Sequence, residues 1–577
     1  MEPKGLGLSV FKERYAHEHE EWQDACRRVA TSAGAHESIG VRESYYQALV
    51  NGRLMPGGRI WYGAGRVKQQ MLNCFVVPTG DSREDWGRTM SDFTVVTGTG
   101  GGVGFNFSPI RPRGAAISGV GGEATGSVSL MSMLDGIAKG MVGGGNRRAA
   151  MMMCLAIDHP DILEFIDTKL NKEALNNANV SLVIPPTLEP ETIVHLYKTG
   201  GKIALRHDGK TYGELPVREF LASVVKNALS SGEPGILNQY LAEKENNVGY
   251  AHPLTSTNPC GEIWLPDYGC CDLGALVLPS FVVGGELDWD ALADTIAVGV
   301  RFLDNVLDVN YYPLHEIEKM CQAERRIGLG VMGLHSMLLD LGMMYDSEQG
   351  LAFIDKLFHF IKITAYKASI ELAKEKGPFP LYDARYLASP FVRRLPREIR
   401  NAIAEYGIRN CALLTVAPTG TTSMVHGVTS GIEPLFAPAY FRRRKVAADI
   451  AGEFDTIKTL VIHADYLNHP DIAQGAYDIP VWNHLEVQKI VQSHIDNAVS
   501  KTINVSKGVK FSELMDATLA YLPYLKGFTV YQEGSRDDEP LEAIHLDKVA
   551  EVLQSWDGET DYDGMESLDC VTGVCTI

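Results

Sequence analysis

The segment TSTNPCGEIWLPDYGCCDLG, residues 255–274, holds three of the ten cysteines in a chain of 577 residues. Asn258, Cys260 and Glu262 alternate within it. In an extended strand or loop these three side chains project to one side. That would gather an amide, a thiol and a carboxylate around one small volume. A carboxylate serves as a general base, an amide orients a substrate oxygen, and a thiol serves as a nucleophile or hydrogen-atom donor. The local spacing alone favours a plainer reading, a Pro/Gly turn around a buried thiol, because free cysteine is often simply core.

Other groups with chemical potential are spread along the chain. Cys74 lies in LNCFVV (72–77), Cys270 and Cys271 are adjacent, and Cys570 and Cys575 close the C-terminus. A Cys₄ zinc site from Cys260, Cys270, Cys271 and Cys74 is disfavoured. Structural zinc uses close pairs separated by two to four residues, whereas 270 − 260 = 10 and the next thiol is adjacent. The terminal pair lacks a second pair nearby and suits a redox dithiol on an arm. In APTGTTSMVHG (417–427), Thr419, Gly420, Thr421, Thr422 and Ser423 follow an apolar run. Such a turn offers hydroxyls and N–H groups to a phosphate, and a plain helix cap fits the local pattern as well. The glycine-rich runs GTGGGVGF (98–105), GVGGEATG (119–126) and GMVGGGNRRAA (140–150) lack the Lys-Ser/Thr of a phosphate-binding P-loop. The 16 histidines form no HExxH spacing, so no metal site is expected.

The elements that must position these residues alternate in kind. Residues 1 to about 50 read as helical and polar, up to NGRLMPGGR. NVSLVIP (179–185) reads as a strand, and CALLTVAPTGTTS (411–423) as a buried strand running into a turn. Apolar residues recur at helical spacing in 287–308 and in 351–377, where Gly377 and Pro378 end the second helix. Alternating strand and helix patterns define an α/β class. From Trp556 onward the chain is acidic, poor in aliphatics and expected to be mobile.

Composition bounds the partners. The net charge of −19 argues against a duplex-binding protein, so no nucleic-acid partner is expected. There is no apolar leader region and no run of about 18 apolar residues, so no membrane partner is expected either. The sparse cysteines fit a reducing, cytoplasmic setting, or the host cytoplasm for a viral source.

Taken in order, the motifs LNCFVV with GDS, GGGVGFNFSPIRPRG, GGGNRRAA, HPDILEFI, TNPCGE, CCDLG, RRIGLGVMGL, APTGTTSM, SGIEPLFAPAY, AVSKTINV and VYQEGSR, with the terminal thiol pair, resemble the catalytic subunit of ribonucleotide reductases. The style of several is most similar to class II, the adenosylcobalamin-dependent enzymes. Val530 precedes Tyr531 where class I subunits carry two adjacent tyrosines for radical transfer. The resemblance implies a ten-stranded α/β barrel over residues 56–555 with a central finger loop. A short helical N-terminal region (1–55) would precede it and a flexible redox tail (556–577) would follow.

By the same resemblance, Cys260 at the finger tip would become a thiyl radical and take the 3′-hydrogen of a ribonucleotide. Glu262 would accept the 3′-OH proton and Asn258 would hold the hydroxyls. Cys74 and Cys271 would supply electrons and become a disulfide, with Cys270 a bystander. Cys570 and Cys575 would reduce that disulfide and be recharged by a thioredoxin-like partner. Residues 419–423 would hold the substrate phosphates. Asp81 and Arg111 would bind a deoxynucleoside triphosphate specificity effector, and Arg147 would sit in the loop relaying its identity. The resemblance leans to diphosphate substrates and a homodimer. With some 55 residues before MPGGR, no N-terminal ATP cone is expected.

Overall fold

The computed structural model describes residues 2–119, 121–143, 147–148, 150–171, 175, 177–447, 454–535, 541–556, 558 and 560–563. Three helices open the chain: α1 (Gly5–Arg14), α2 (Trp22–Ala33) and α3 (Ile39–Val50). The third starts at Ser38, whose hydroxyl accepts the Val41 N–H. Then come β1 (Leu54–Pro56), α4 (Gly58–Gly63), β2 (Cys74–Val76), α5 (Arg83–Gly98), β3 (Gly102–Asn106), α6 (Ser127–Gly140), β4 (Met151–Ala156), β5 (Ala178–Ile184) and β6 (Gly235–Asn238). The middle of the chain adds β7 (Ser256–Thr257), β8 (Trp264–Leu265), β9 (Cys270–Cys271), β10 (Leu273–Val277), α7 (Trp289–Val309), β11 (Gly328–Met332) and α8 (Glu348–Lys376). Last are α9 (Thr422–His426), β12 (Thr502–Val505) and β13 (Gly527–Gln532). The two long helices fall where periodicity puts them, and α8 stops at Gly377 (φ +82°).

One sheet runs β9-β2-β3-β4-β5-β6-β13-β12 and a second runs β1-β10-β11. Strands β2 to β6 are mutually parallel, while β9 and β13 pair antiparallel to the two ends of that block. Burial is nearly continuous along β3, β4 and β5, the pattern of parallel strands covered on both faces. The ladders differ from a closed ten-stranded barrel. Residues 411–416, read from sequence as a strand, pair through isolated bridges, Leu414 to Leu329 and Val416 to Val499, and through single hydrogen bonds such as Leu329 N–H to the Leu413 carbonyl (2.9 Å) and Val416 N–H to the Ala498 carbonyl (3.2 Å), not through a continuous ladder. The cause is local: the buried Asp496 carboxylate takes the N–H groups of Leu413 and Leu414 at 2.9 and 2.8 Å. These amides are satisfied by a side chain instead of a strand.

The hairpin β7–β8 threads against the inner side of β3 because β3 has no side chain at Gly104. A Cβ there would lie 1.8 Å from the Thr257 carbonyl oxygen. Asn106 donates to the Thr255 carbonyl (2.9 Å), Asn179 to that of Pro259 (2.8 Å), and the Trp264 indole to that of Lys526 (3.2 Å). The hairpin is thus tied to β3, to β5 and to the chain entering β13.

Outside these sheets, Ala439–Ala447 and Phe454–His463 form a hairpin. Its second strand pairs in parallel with Thr560–Asp563. Trp556 packs on Phe441, with ring centroids 4.8 Å apart, so the first residues of the acidic tail are held. Cys570 and Cys575 lie outside the described residues. No helix among the described residues is long and apolar enough to cross a membrane.

Candidate active site

Asn258, Cys260 and Glu262 converge, though not by strand alternation. Residues 259–262 form a tight turn between β7 and β8. It is closed by the Gly261 N–H donating to the Asn258 carbonyl (3.1 Å). Gly261 has φ +79°, a conformation side-chain-bearing residues rarely adopt. The turn leaves Cys260 exposed at its tip and buries Asn258 and Glu262 (0% and 2% exposed).

Cys260 stands between two cavities. One, of about 190 Å³, has Cys74, Cys260, Glu262 and Asn73 in its wall together with residues 418–422. The other, of about 280 Å³, is lined by Cys260 with Asn179, Glu433, Lys501, Val530 and Tyr531. A residue at the tip of the hairpin can therefore face one ligand on each side.

The Glu262 carboxyl is pushed up to about 7 by burial, partly offset by the Asn258 amide beside it. Its Oε2 and the Asn258 Nδ2 are buried without a protein partner, as is the Thr257 hydroxyl. Of these three residues, Glu262 lines the smaller cavity, with Asn258 beside it. The backbone of Glu262 is fixed: its carbonyl accepts from the Ala498 N–H (3.0 Å) and from the Thr415 hydroxyl.

Cys74 and Cys271 are direct partners across the antiparallel pair β2–β9, a position that brings Cβ atoms to about 5 Å. Burial pushes the Cys271 thiol well above its ordinary value, and the neighbouring Cys74 thiol raises it further. It is a protonated thiol at neutral pH. Cys270 faces elsewhere: it belongs to the main apolar core, while Cys271 packs in a small cluster with Val76, Leu273 and Cys74. Cys270 lies against Cys321, and its thiol too is driven up by burial. Alternation along a strand separates the two adjacent thiols.

Of the threonine-rich turn, Thr419, Gly420, Thr421 and Thr422 reach the smaller cavity. Ser423 is turned back, its hydroxyl 3.0 Å from that of Ser430. Thr419 holds φ +52° and accepts the Gly431 N–H at 2.8 Å, which fixes the turn. Asp81 and Arg111 are brought together, the guanidinium Nε at 2.8 Å and the Arg111 N–H at 2.7 Å from the carboxylate. Arg147 lies in a short hairpin, Arg147–Arg148 paired with Val142–Gly143, and its side chain lies outside the described residues. Among the described residues no group of His, Cys, Asp and Glu forms a metal site.

Sequence reasoning passed over the ion pair in the larger cavity. Lys501, fully buried, is 2.7 Å from Glu433, and Glu433 also takes the Thr502 N–H (2.6 Å). Both residues stand inside quoted motifs, AVSKTINV and SGIEPLFAPAY, but nothing local marks them as partners 68 residues apart.

Comparison with known proteins identifies the family. Residues 72–531 match the sequence profile of the ribonucleotide reductase barrel domain, and residues 1–69 that of the ribonucleotide reductase all-alpha domain. A vitamin B12-dependent ribonucleoside-diphosphate reductase of Mycobacterium tuberculosis is 31% identical, over 92% of this chain and 80% of the relative. One of Thermoplasma acidophilum, of the same description, is 32% identical over 91% of this chain and 68% of its own length. A ribonucleoside-diphosphate reductase subunit alpha of Chlamydia pneumoniae is 24% identical over 79% of this chain and 49% of its own. These matches define an oxidoreductase with the family's barrel domain following its all-alpha domain. The chain belongs to the ribonucleotide reductase large-subunit family.

Proposed function

We propose that the protein is an adenosylcobalamin-dependent ribonucleoside-diphosphate reductase acting through a thiyl radical on Cys260. One observation carries this reading. A single cavity has two thiols, a carboxyl that burial raises to about 7 and a hydroxyl-rich turn in its wall, and the Cys260 in that wall also faces a second cavity. The smaller cavity takes the nucleotide, with its phosphates at residues 419–422 and its ribose at Cys260, Glu262 and Asn258.

The larger cavity suits a nucleoside-bearing cofactor. Asn179, Ser500 and Thr529 supply polar contacts, Phe528 an apolar face, and Gly261 and Gly527 allow close approach. Cys260 is the single thiol among its lining residues. Bound adenosylcobalamin supplies a one-electron route to removing the Cys260 hydrogen atom.

The chain's own residues then act in sequence. The Cys260 thiyl takes the 3′-hydrogen. Glu262, as carboxylate, accepts the 3′-OH proton, while the Asn258 amide holds the hydroxyls. Replacing the 2′-OH by hydrogen consumes two protons and two electrons, one proton leaving with the hydroxyl as water and the other ending on C2′. The thiol pair Cys74 and Cys271 supplies both as it becomes a disulfide, and Glu262 returns its proton to the 3′-oxygen. Cys260 must return a hydrogen atom to C3′ for a turnover to leave it unchanged. Cys570 and Cys575 reduce the disulfide by exchange and are recharged by a thioredoxin-like protein.

The ten-stranded barrel is supported by continuity. Only Asp272 separates β9 from β10, and 411–416 bridges β11 on one side and Val499, just ahead of β12, on the other. A homodimer is supported by the neighbouring helices α5 and α6, which expose Val95 and Met133. The deoxynucleoside triphosphate effector is assigned to Asp81 and Arg111, with Arg147 in the loop that relays its identity.

The test is an assay with adenosylcobalamin, a dithiol and a ribonucleoside diphosphate, reading deoxynucleotide. Product is expected, and Cys260→Ser should give none. Turnover only with an added metal-containing subunit, and none with the cobalamin, would overturn the reading.

A further inference from the structure

The helical N-terminal domain reaches into the smaller cavity. Tyr15, at the C-terminal end of α1, lines that cavity with Cys74, Cys260, Glu262 and the 418–422 turn, and is 7% exposed. Its ring lies on Gly58, where a Cβ would come within 3.0 Å of ring carbon Cε1 and 3.3 Å of the hydroxyl oxygen. The adjoining Gly57 abuts Asn73, the neighbour of Cys74: a Cβ at Gly57 would be 3.0 Å from the Asn73 amide nitrogen. The phenol end of Tyr15 is thus set beside the redox strand β2.

The other end of the helix is fixed to the phosphate side. Gly7 brings α1 against α9, the helix that follows the threonine turn. A Cβ at Gly7 would meet the carbonyl oxygens of Val425 and Met424 at 2.6 and 2.7 Å. Arg28 holds the Tyr15 segment from behind. It donates to the carbonyls of Tyr15 (3.4 Å), Trp61 (2.8 Å) and Ala64 (2.9 Å) while paired to Glu20. One helix therefore spans from the phosphate turn to the redox strand, and its last aromatic side chain stands in the wall between them.

We propose that Tyr15 is a substrate contact, set against the ribose-to-phosphate stretch of the nucleotide, so that the N-terminal helical domain forms part of the substrate site. This rests on reading the smaller cavity as the nucleotide's. A phenol at the ribose–phosphate side contributes to binding without reading the base, so its loss falls equally on purine and pyrimidine substrates.

The experiment uses the full-length enzyme with adenosylcobalamin, comparing Tyr15→Phe, Tyr15→Leu and Thr421→Ala. Ribonucleotide Kd by equilibrium binding, and KM and kcat with an adenine and a cytosine substrate, are measured. Tyr15→Phe, which keeps the ring, should raise Kd and KM about fivefold, the size of one lost hydrogen bond, with kcat within about twofold. Tyr15→Leu should raise them further, equally for both bases, with the thermal unfolding midpoint serving as the check on folding. If Thr421→Ala weakens binding and neither Tyr15 variant does, the Tyr15 inference falls and the cavity reading stands. If all three leave Kd unchanged, both fall. A drop in kcat with unchanged Kd and KM would also overturn the inference.

Discussion

Burial decides the chemistry of Glu262. With its carboxyl raised to about 7, roughly half is ionised at neutral pH. A proton acceptor must be ionised, so kcat/KM should climb with pH along a limb centred near 7 and level off above it. Glu262→Gln should remove the limb together with turnover; a profile flat from pH 6 to 8.5 would contradict the role. The linkage sign is the reverse of the usual carboxylate case. The folded group holds its proton more tightly than the unfolded one, so stability declines as pH rises from about 4.5 to about 7 and is constant above. Glu262→Gln should accordingly be at least as stable as the parent at pH 8 by thermal unfolding. This residue and its neighbours were legible as a group from their spacing, although a tight turn, not strand alternation, unites them. The facing of Cys74 and Cys271 was not legible from spacing. They are 197 residues apart (271 − 74), and an antiparallel register sets them opposite.

Among the elements, the thiol-bearing hairpin depends on what β3 lacks. Gly104→Ala would set a methyl group against the Thr257 backbone carbonyl, 1.8 Å away before any adjustment. Neither partner is the free end of a flexible side chain. The cost is that of overpacking, at least about 1–3 kcal/mol, and relief comes only by moving the hairpin whose turn carries Cys260. A lowered unfolding midpoint and loss of most turnover are expected. Gly136→Ala on α6, where a Cβ meets nothing within 4 Å, is the control and should stabilise slightly, by about 0.5–1 kcal/mol. If both variants behave alike, the close approach is not what seats the hairpin. Helices α7 and α8 were legible because their apolar periodicity is a local property. The glycine runs read as loops, yet residues 102–105 of GTGGGVGF lie in β3, and the sequence does not say which glycine faces a backbone crossing from residue 257. Nor does it reveal that Asp496 draws the amides of Leu413 and Leu414 out of a ladder.

At the scale of the whole molecule, one carboxylate ties the helical N-terminal domain to the rest. Glu37, between α2 and α3, receives both arms of Arg301 on α7 (2.8 Å each), the Asn305 amide (2.9 Å) and Lys376 at the end of α8 (3.1 Å). Burial alone would raise its carboxyl, but the hydrogen bonds from Arg301, Asn305 and Lys376 prevail and hold it at about 2. The helical character of residues 1–50 was legible in the sequence. This docking was not, since its partners lie some 264 to 339 residues away. A carboxyl depressed on folding contributes stability that is present above its unfolded value, near 4.5, and lost as pH falls toward 2. Glu37→Gln should therefore cost on the order of 2 kcal/mol at pH 7, the range of hydrogen bonds to a charged group. Calorimetric unfolding at pH 7 and at pH 3 separates the causes. The gap between parent and variant should be clear at pH 7 and narrowed at pH 3, where the unfolded Glu37 is already largely protonated. An equal gap at both values would mean that packing, not the ion pairs, joins the two domains. Because Tyr15, at the end of α1 in this same domain, lines the smaller cavity, loosening the Glu37 clasp should also raise substrate KM at pH 7 if that cavity takes the nucleotide, although Glu37 lines neither cavity.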